Sequence, residues 1–168
     1  SCALLFAQKG YGVIVNYLNN GDKAEELCKK IIEIGGTAVA YRADVRLQRD
    51  VEAMFDFAEK EFGGIDVLVN NFGTSNPGKD LDFAHTDPQV FLDTVNLNLR
   101  SVFMASQAAA KYMAQQQNGS IINISSVGGL VPDISQVAYG TSKAAINYLT
   151  KLIAVHEAKN NIRCNAVL

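Results

Sequence analysis

Segments typical of β-strands and of α-helices alternate strictly along the 168 residues of this chain. Short apolar runs, such as the one at residues 65–69, have the length and composition of strands buried on both faces. Between these runs, apolar residues recur with the spacing of one helix face. Strands that alternate with helices are joined by right-handed crossovers, which make neighbouring strands parallel. The alternation therefore predicts an α/β fold, a doubly wound parallel sheet (Rossmann-like) with helices on both faces.

Capping residues and glycines mark the boundaries of the predicted elements. We predict strands at residues 12–17, 37–42, 65–69, 120–124 and 162–168. We predict helices at residues 3–10, 23–34, 50–62, 88–115 and 135–156, with Asp22 and Asp87 as N-terminal caps. The first helix has no start signal and the last apolar run reaches Leu168, so we expect further elements before Ser1 and after Leu168. Residues 1–168 are thus predicted to form a single domain that is partial at both ends.

Charge and cysteine content exclude several classes of partner. The formal net charge of -2 leaves no basic surface for nucleic acid or an anionic membrane. No apolar run is long enough to cross a bilayer. Cys2, Cys28 and Cys164 are odd in number and far apart, which indicates reduced thiols in a cytoplasmic protein rather than a disulfide framework or a metal site.

Polar or small residues follow the predicted strands, at the edge where ligands bind in open parallel sheets. The first strand is followed by Asn16 and Tyr17, and the second by Asp44 and Val45; residues 70–73 and 125–129 follow the next two. Loops after strands are usually polar, so this pattern by itself only suggests a site. Gly73 would let a flat cofactor approach the backbone. Asp44 would accept a hydrogen bond from an adenine amino group, or it would cap the helix that follows.

The sharpest local feature is Tyr139 with Lys143 at the start of a predicted helix. A spacing of four places both side chains on one helix face, one turn apart. A nearby ammonium favours the phenolate form of a tyrosine, which then accepts a proton from an alcohol or returns it to a ketone. The alternative is an exposed Tyr–Lys pair without chemistry, which is common on helices.

Two further side chains strengthen the interpretation of this pair. Ser126 follows an apolar strand thirteen residues before Tyr139, and its hydroxyl would stabilise charge on a substrate oxygen. Asn98 lies among apolar residues inside a long helix, where an amide needs a partner. It would hold a water that links Lys143 to solvent. The alternatives are an ordinary serine turn and a satisfied packing asparagine.

Other catalytic classes fit the sequence poorly. Serine hydrolases of the α/β type need a G-x-S-x-G turn, which is absent. His85 lies in a predicted loop and His156 near a helix end beside Glu157, so surface positions are the simpler interpretation of both. No H-E-x-x-H motif or cysteine cluster indicates a metal ion.

Taken in order, these motifs resemble those of the short-chain dehydrogenase/reductase family over essentially the whole chain. The matching pieces are DV at 44–45, DVLVNNFG at 66–73, NLRSVF at 98–103, GSIINISS at 119–126, YGTSK at 139–143 and IRCNA at 162–166. The resemblance implies a catalytic tetrad of Asn98, Ser126, Tyr139 and Lys143. It also implies cofactor contacts at Asp44, Val45, Asn71, Gly73, Tyr139 and Lys143, with Lys143 holding the nicotinamide ribose.

The sequence departs from the family pattern in two respects. First, two features of the family are absent from these 168 residues. They are the glycine-rich pyrophosphate turn, which is expected before Ser1, and a proline-glycine turn with a substrate-covering helix, which is expected after Leu168. Second, Phe72 stands where the family usually has alanine, which suggests a reshaped wall of the cofactor or substrate site.

Several segments are similar to those of bacterial 7α-hydroxysteroid dehydrogenases, which oxidise the 7α-hydroxyl group of bile acids. These segments lie at residues 71–74, 79–82, 131–135 and 162–168. The resemblance implies a hydroxysteroid or ketone substrate. Leu130, Val131 and Ile134 would form an apolar wall for a steroid, and equally for the acyl chain of a 3-oxoacyl-carrier-protein reductase substrate.

The family resemblance also bears on the cofactor and on assembly. No acidic residue stands at Asn16, Tyr17 or Leu18 to repel a ribose 2′-phosphate, which favours NADP. No nearby arginine would bind that phosphate, so NAD stays an alternative cofactor. The long helices at 88–115 and 136–156 imply a homotetramer. A non-catalytic dinucleotide-binding protein that keeps the fold is the alternative from another class.

Overall fold

In the computed structural model, which describes residues 1–168, the chain forms two compact units, Ser1–Gly63 and Gly64–Leu168. Both consist of parallel strands with helices between them, so the predicted α/β class is confirmed. The prediction that they form a single domain stays a prediction. None of the helices combines the length and apolar content needed to span a bilayer.

The N-terminal unit contains three helices and two strands. In chain order they are α1 (Cys2–Gln8), β1 (Gly12–Tyr17), α2 (Gly21–Glu33), β2 (Thr37–Arg42) and α3 (Gln48–Phe62). Strands β1 and β2 are parallel, with Gly12 opposite Thr37 and Tyr17 opposite Arg42. Their carboxyl ends therefore lie side by side.

The core of this unit forms where α1 and α2 cover the strands. Ala7, Cys28, Ile31 and Ala38 are buried together there. Gly12 leaves room for the ring of Phe62 at the end of α3, since an added Cβ at Gly12 would lie 2.6 Å from a ring carbon. The absence of a side chain at Gly12 therefore lets the end of α3 pack closely against β1.

Helix boundaries in the N-terminal unit largely follow the predicted signals. Gly35 and Gly63 have positive φ angles after α2 and α3, as helix-ending glycines do. The prediction that Asp22 caps α2 is wrong, because the helix begins at Gly21 after Asn20. Asp22 instead lies in the first turn, where its charge favours the helix N-terminus.

The C-terminal unit contains three helices, three strands and three short helical turns. In chain order they are β3 (Val67–Asn70), α4 (Pro88–Val95), a π-helical turn (Asn96–Arg100), α5 (Ser101–Gln116), β4 (Gly119–Ile124), a 3-10 turn (Val127–Gly129), α6 (Val137–Glu157), a second 3-10 turn (Ala158–Asn160) and β5 (Ile162–Val167). All strands are parallel, in the order β3-β4-β5. Met113 of α5, Ile121 of β4 and Ile146 of α6 are fully buried, so these elements share the core of the unit.

Two predicted boundaries in this unit need correction. The long helix at 88–115 starts where predicted, with the Asp87 carboxylate accepting from the Gln89 amide at 2.7 Å, but a π-helical turn interrupts it. The last long helix begins at Val137 and not at Ser135, because Gln136 has a left-handed backbone with φ of 59°. The site-bearing residues lie at or beside both irregularities.

Candidate active site

A cavity of about 230 Å³ opens at the carboxyl ends of β3 and β4 in the C-terminal unit. Its lining consists of Asn71, Phe72, Gly73, Thr74, Ser75, Ile124, Ser125, Tyr139 and Lys143. The first seven of these residues lie at or after the carboxyl ends of β3 and β4, and the last two belong to α6. For this unit, the expectation that polar residues gather at one edge of the sheet is confirmed.

Lys143 lies at the bottom of this cavity with only 5% of its surface exposed. Its Nζ donates to the backbone oxygen of Ile124 at 2.8 Å. Burial lowers the pKa of this ammonium group, because a low-dielectric environment disfavours the charged form. One hydrogen bond to a carbonyl leaves other ammonium protons to be shared with a ligand in the cavity.

Tyr139 lies one turn before Lys143 on the same face of α6. The Lys143 Nζ is 5.6 Å from the centre of the Tyr139 ring, within the range of a cation–π contact. The predicted juxtaposition of these two side chains is therefore confirmed, and the exposed-pair alternative does not describe a lysine that is this deeply buried.

Gly73 marks the place where the backbone comes nearest to the buried polar groups. A Cβ added there would lie 3.3 Å from the Asn98 Oδ1 and 3.5 Å from the Lys143 Nζ. The absence of a side chain keeps the cavity open at the ammonium group. A flat ring with hydroxyl groups, such as a nicotinamide ribose, fits the donors and the open backbone found here.

Asn98 is fully buried in the π-helical turn, and its side-chain amide forms hydrogen bonds with two residues. It accepts from the Thr74 amide at 2.8 Å and donates to the Thr74 oxygen at 2.9 Å and to the Ser142 hydroxyl at 3.0 Å. The sequence correctly indicated that this amide needs partners. Its side chain fixes the cavity wall at Thr74, and the water relay assigned to Asn98 stays a prediction.

Ser126 borders the cavity region without lining the cavity itself. Its hydroxyl caps the turn at Val127–Gly129 by accepting from the Gly128 amide at 3.1 Å. A Cβ added at Gly128 would lie 3.6 Å from the Ser126 Oγ and 3.9 Å from the Tyr139 ring. The serine hydroxyl and the tyrosine ring therefore flank the same glycine.

The sequence analysis assigned no role to two residues at this site. Ser125 is buried, and its hydroxyl donates to the Lys143 backbone oxygen at 3.2 Å, which ties β4 to α6. Asp80 is fully buried and its carboxylate accepts from the amides of Ala138 and Tyr139. The sequence indicated Asp80 only as an acidic residue in a segment similar to those of steroid dehydrogenases. Its partners at the start of α6 are more than fifty residues away in the sequence.

Asp44 and Val45 lie in the N-terminal unit, in the turn after β2. Asp44 does not cap α3 with its side chain, because the helix begins at Gln48 after Leu47 and no side chain caps it. Its carboxylate instead pairs with the Arg46 guanidinium at 2.6 Å, which lowers the pKa of Asp44. The adenine contact predicted for Asp44, and the cofactor contact of Val45, stay predictions.

The charged residues around the end of β1 differ from those that the sequence suggested. Asn16 donates to the Ala43 oxygen at 3.1 Å, and no acid follows. The expectation that no arginine is at hand is wrong: Arg42 at the end of β2 donates through Nε to the Leu18 oxygen at 3.1 Å. Parallel pairing of the strands brings this cation, 24 residues away in sequence, to the end of β1.

Comparison with known proteins agrees with this fold. The family model described as short chain dehydrogenase matches residues 1–168. The chain therefore belongs to the short-chain dehydrogenase family.

Curated relatives point to one branch of that family. The chain is 41% identical to the 7alpha-hydroxysteroid dehydrogenase of Paraclostridium sordellii over 171 residues, covering 99% of this chain and 62% of that protein. It is 39% identical over 150 residues to the 7alpha-hydroxysteroid dehydrogenase of Clostridium sardiniense, covering 87% of this chain and 57% of that protein. The chain thus spans about three-fifths of the length of these relatives.

Solved structures show the same fold. A short-chain type dehydrogenase/reductase from Mycobacterium marinum matches with a TM-score of 0.89 and 34% identity, covering 98% of this chain and 66% of that one. A gluconate 5-dehydrogenase from Burkholderia cenocepacia J2315, in complex with NADP and tartrate, matches with a TM-score of 0.88 and 30% identity, covering 98% of this chain and 63% of that one.

Proposed function

We propose that the protein is an NAD(P)-dependent oxidoreductase that interconverts a secondary alcohol and a ketone. The observation that carries this proposal is the buried Lys143 ammonium beneath the Tyr139 ring at the edge of a polar cavity. Lys143 is held out of water beside a phenol and an open cavity, and buried ionisable groups in clefts cluster at functional sites.

Tyr139 is the proton-transfer group in this proposal. Its deprotonated phenolic oxygen takes the proton of the substrate alcohol during oxidation, and the resulting hydroxyl returns a proton to the carbonyl oxygen during reduction. The Lys143 ammonium lies beside the Tyr139 ring and would bind the ribose hydroxyls of the cofactor. The Ser126 hydroxyl donates to the substrate oxygen as negative charge develops there. Asn98 holds the Thr74 backbone in place and, we propose, a water beside Lys143 through which the proton is exchanged with solvent.

We propose cofactor contacts in each of the two units. Asn71, Gly73, Tyr139 and Lys143 would hold the nicotinamide half, and Asp44 and Val45 the adenine half. When bound, the nicotinamide ring supplies or accepts the hydride. The open backbone at Gly73 and the free protons of the Lys143 ammonium support this assignment.

Tyr139→Phe tests the assigned chemistry. We expect kcat to fall by roughly 1,000-fold or more, while the Kd of NADPH, measured by fluorescence titration, changes little. The matched control is Tyr148→Phe, since Tyr148 lies on the same helix and is 64% exposed. Retained turnover in Tyr139→Phe would contradict the role. A wild-type protein that binds NADPH but turns over no alcohol or ketone would favour the non-catalytic alternative.

The position of Arg42 supports NADP as the preferred cofactor. Its guanidinium lies at the end of β1, where a ribose 2′-phosphate would need a cation. We expect Arg42→Gln to raise the KM for NADP about tenfold and to leave the KM for NAD nearly unchanged. Arg49→Gln, which removes an exposed charge from α3, is the control. Equal effects on both cofactors would contradict this assignment.

We propose that the substrate is the 7α-hydroxyl group of a bile acid or a similar steroid. The names of the curated relatives and the apolar loop after β4 support this choice; Leu130 and Val131 are exposed by 64% and 61% and are available to cover an apolar ligand. The alternative is a 3-oxoacyl thioester. A substrate panel of cholate, its 7-deoxy analogue and a 3-oxoacyl thioester decides between them, with oxidation of cholate alone as the expected result.

We further propose a homotetramer in the cytoplasm. Apolar side chains are exposed along α4, α5 and α6, including Leu92, Phe103 and Val155, and would be covered by neighbouring subunits. All three cysteines are free, as expected of a reducing compartment. Light scattering on the purified protein measures the subunit number directly.

A further inference from the structure

Asp80 holds the first turn of the helix that carries Tyr139 and Lys143. Its carboxylate is fully buried, with Oδ1 accepting from the Ala138 amide at 2.9 Å and Oδ2 from the Tyr139 amide at 2.8 Å. These two amides belong to the first turn of α6, where a helix has no backbone partners of its own for its N–H groups.

The backbone around Asp80 completes the same contact. The Gln136 amide donates to the Asp80 oxygen at 3.2 Å, and the Val137 amide donates to the Leu81 oxygen at 3.3 Å. Four consecutive amides at the start of α6 are therefore bound by two residues that lie more than fifty positions earlier. No local residue caps this helix, since Gln136 has a left-handed backbone and its side chain makes no capping bond.

The electrostatic setting suits a carboxylate at this position. The N-terminus of a helix carries partial positive charge, and charge-assisted bonds to its amides are stronger than neutral ones. No lysine, arginine or histidine pairs with Asp80 in the structure. The amides of α6 are thus the groups that make burial of this charge tolerable.

The same segment also forms the cavity wall. Residues 71–75 line the cavity, Asn98 fixes the wall at Thr74, and the Asp80 amide donates to the Asn76 oxygen at 2.7 Å. The wall is therefore attached to the π-helical turn at one end and to α6 at the other. A single carboxylate links the position of the Tyr139 backbone to the position of the wall that faces it.

We infer that Asp80 is a positioning residue for Tyr139: it fixes the first turn of α6 so that the phenol stays in register with Lys143 and with the cavity wall. This inference rests on the proposed function for its effect on turnover. It predicts that loss of the carboxylate reduces kcat more than it affects ligand binding, since Lys143 lies a turn deeper in the helix.

The test compares Asp80→Asn with Asp82→Asn in the purified full-length protein. Asp82 is an exposed acid in the same loop whose carboxylate contacts only its own turn and His85, so it matches the change in charge without touching α6. We expect Asp80→Asn to lower kcat for cholate oxidation about tenfold, with KM and the Kd of NADPH changed less than about twofold, and Asp82→Asn to resemble the wild type.

Hydrogen exchange provides a readout that does not depend on activity. In Asp80→Asn, the amides of Ala138 and Tyr139 should exchange at least about tenfold faster, while the amide of Ile146 in the middle of α6 keeps its protection. Parallel acceleration along all of α6, unchanged exchange at Tyr139, or faster exchange with unaltered kcat would each overturn the inference. If Asp80→Asn does not fold, Asp80→Ser, whose hydroxyl also caps helices, replaces it.

The two proposals fail in different ways. A wild-type protein that oxidises no alcohol refutes the proposed function, and the exchange rates of Ala138 and Tyr139 then still decide whether Asp80 holds the turn. A wild-type enzyme with normal turnover in Asp80→Asn refutes the role of Asp80 and leaves the proposed function standing.

Discussion

Gly129 determines how closely the turn that carries Ser126 approaches α6. A Cβ added there would lie 2.7 Å from the Lys143 carbonyl carbon and 2.8 Å from the Ala144 nitrogen. Both are backbone atoms inside a helix, so neither moves aside easily. The Gly129 oxygen also accepts from the Asn147 amide at 3.3 Å, which holds the two elements together. The separation of Ser126 from Tyr139 therefore depends on a residue without a side chain.

We expect Gly129→Ala to displace the turn and to destabilise the protein by about 1–3 kcal/mol, as overpacking does. Because the Ser126 hydroxyl moves with the turn, kcat/KM should fall by up to roughly 100-fold. Gly78→Ala is the matched control, since its Cβ would meet only the Asn76 side chain, at an ordinary 3.8 Å. Thermal unfolding and steady-state kinetics measure both effects, and equal behaviour of the two variants would contradict the argument.

For individual residues, the sequence predicted which side chains share a helix face. It did not predict hydrogen-bond partners that are far apart in the chain. Tyr139 and Lys143 share a face because four residues make about one helical turn, a rule that needs no tertiary information. Asn98 was correctly marked as an amide in need of a partner. Its partners Thr74 and Ser142 are 24 and 44 residues away, and no local pattern identifies them.

A buried amide pair joins neighbouring strands behind the site. Asn70 and Asn123 are opposite each other in β3 and β4, and the Asn70 amide donates to the Asn123 oxygen at 2.8 Å. Asn123 in turn donates to the Thr150 hydroxyl of α6 at 2.9 Å. The pair thus fixes the ends of both strands, immediately before the cavity residue Asn71.

A double-mutant cycle tests this pair. Asn123→Leu alone leaves the Asn70 amide without one buried partner and should cost about 1–3 kcal/mol of unfolding free energy. Replacing both residues with leucine should cost less than the sum of the single variants, because each single variant loses the bond between the two amides and the double variant loses it only once. Urea unfolding measures the four stabilities. Strict additivity would show that the two amides do not interact.

The sequence predicted the strands and the long helices, and it placed most of their ends within a few residues. All five strands and the order of helices followed from apolar periodicity and from glycines at helix ends. The π-helical turn was missed, because it contains no glycine or proline that would mark an interruption of the helix. The start of α6 was placed two residues early, because its cap comes from Asp80 and not from the adjoining sequence.

Across the whole molecule, the three thiols differ sharply in environment. Cys2 is exposed, while Cys28 and Cys164 are buried in the N-terminal and C-terminal units. Burial raises the pKa of Cys28, and it raises the pKa of Cys164 from 9.0 to about 11. Because the thiolate is the reactive form, both buried thiols should be inert in the folded protein.

We expect iodoacetamide at pH 8 to label Cys2 in the native protein, and Cys28 and Cys164 only in denaturant. Peptide mass spectrometry distinguishes the three positions. Rapid native labelling of Cys164 would show that the C-terminal unit opens locally or is packed differently.

The same pKa shift predicts a loss of stability in alkali. The folded state keeps the Cys164 proton longer than the unfolded state, so the contribution of this thiol is complete below pH 9 and disappears as the pH rises toward 11. The unfolding free energy of the wild type should therefore fall more steeply between pH 9 and pH 11 than that of Cys164→Ala. Parallel curves would rule out this contribution.

The sequence by itself determined the α/β class, the order of the elements, the polar edge of the sheet and the pairing of Tyr139 with Lys143. These follow from strand and helix periodicity, which acts over a few residues. Tertiary structure alone decided that Arg42 reaches the end of β1, that Gly129 sets the approach of the Ser126 turn, and that Asp80 holds the start of α6. These contacts join residues far apart in the chain, because packing and the burial of polar groups bring them together, and no local pattern encodes that.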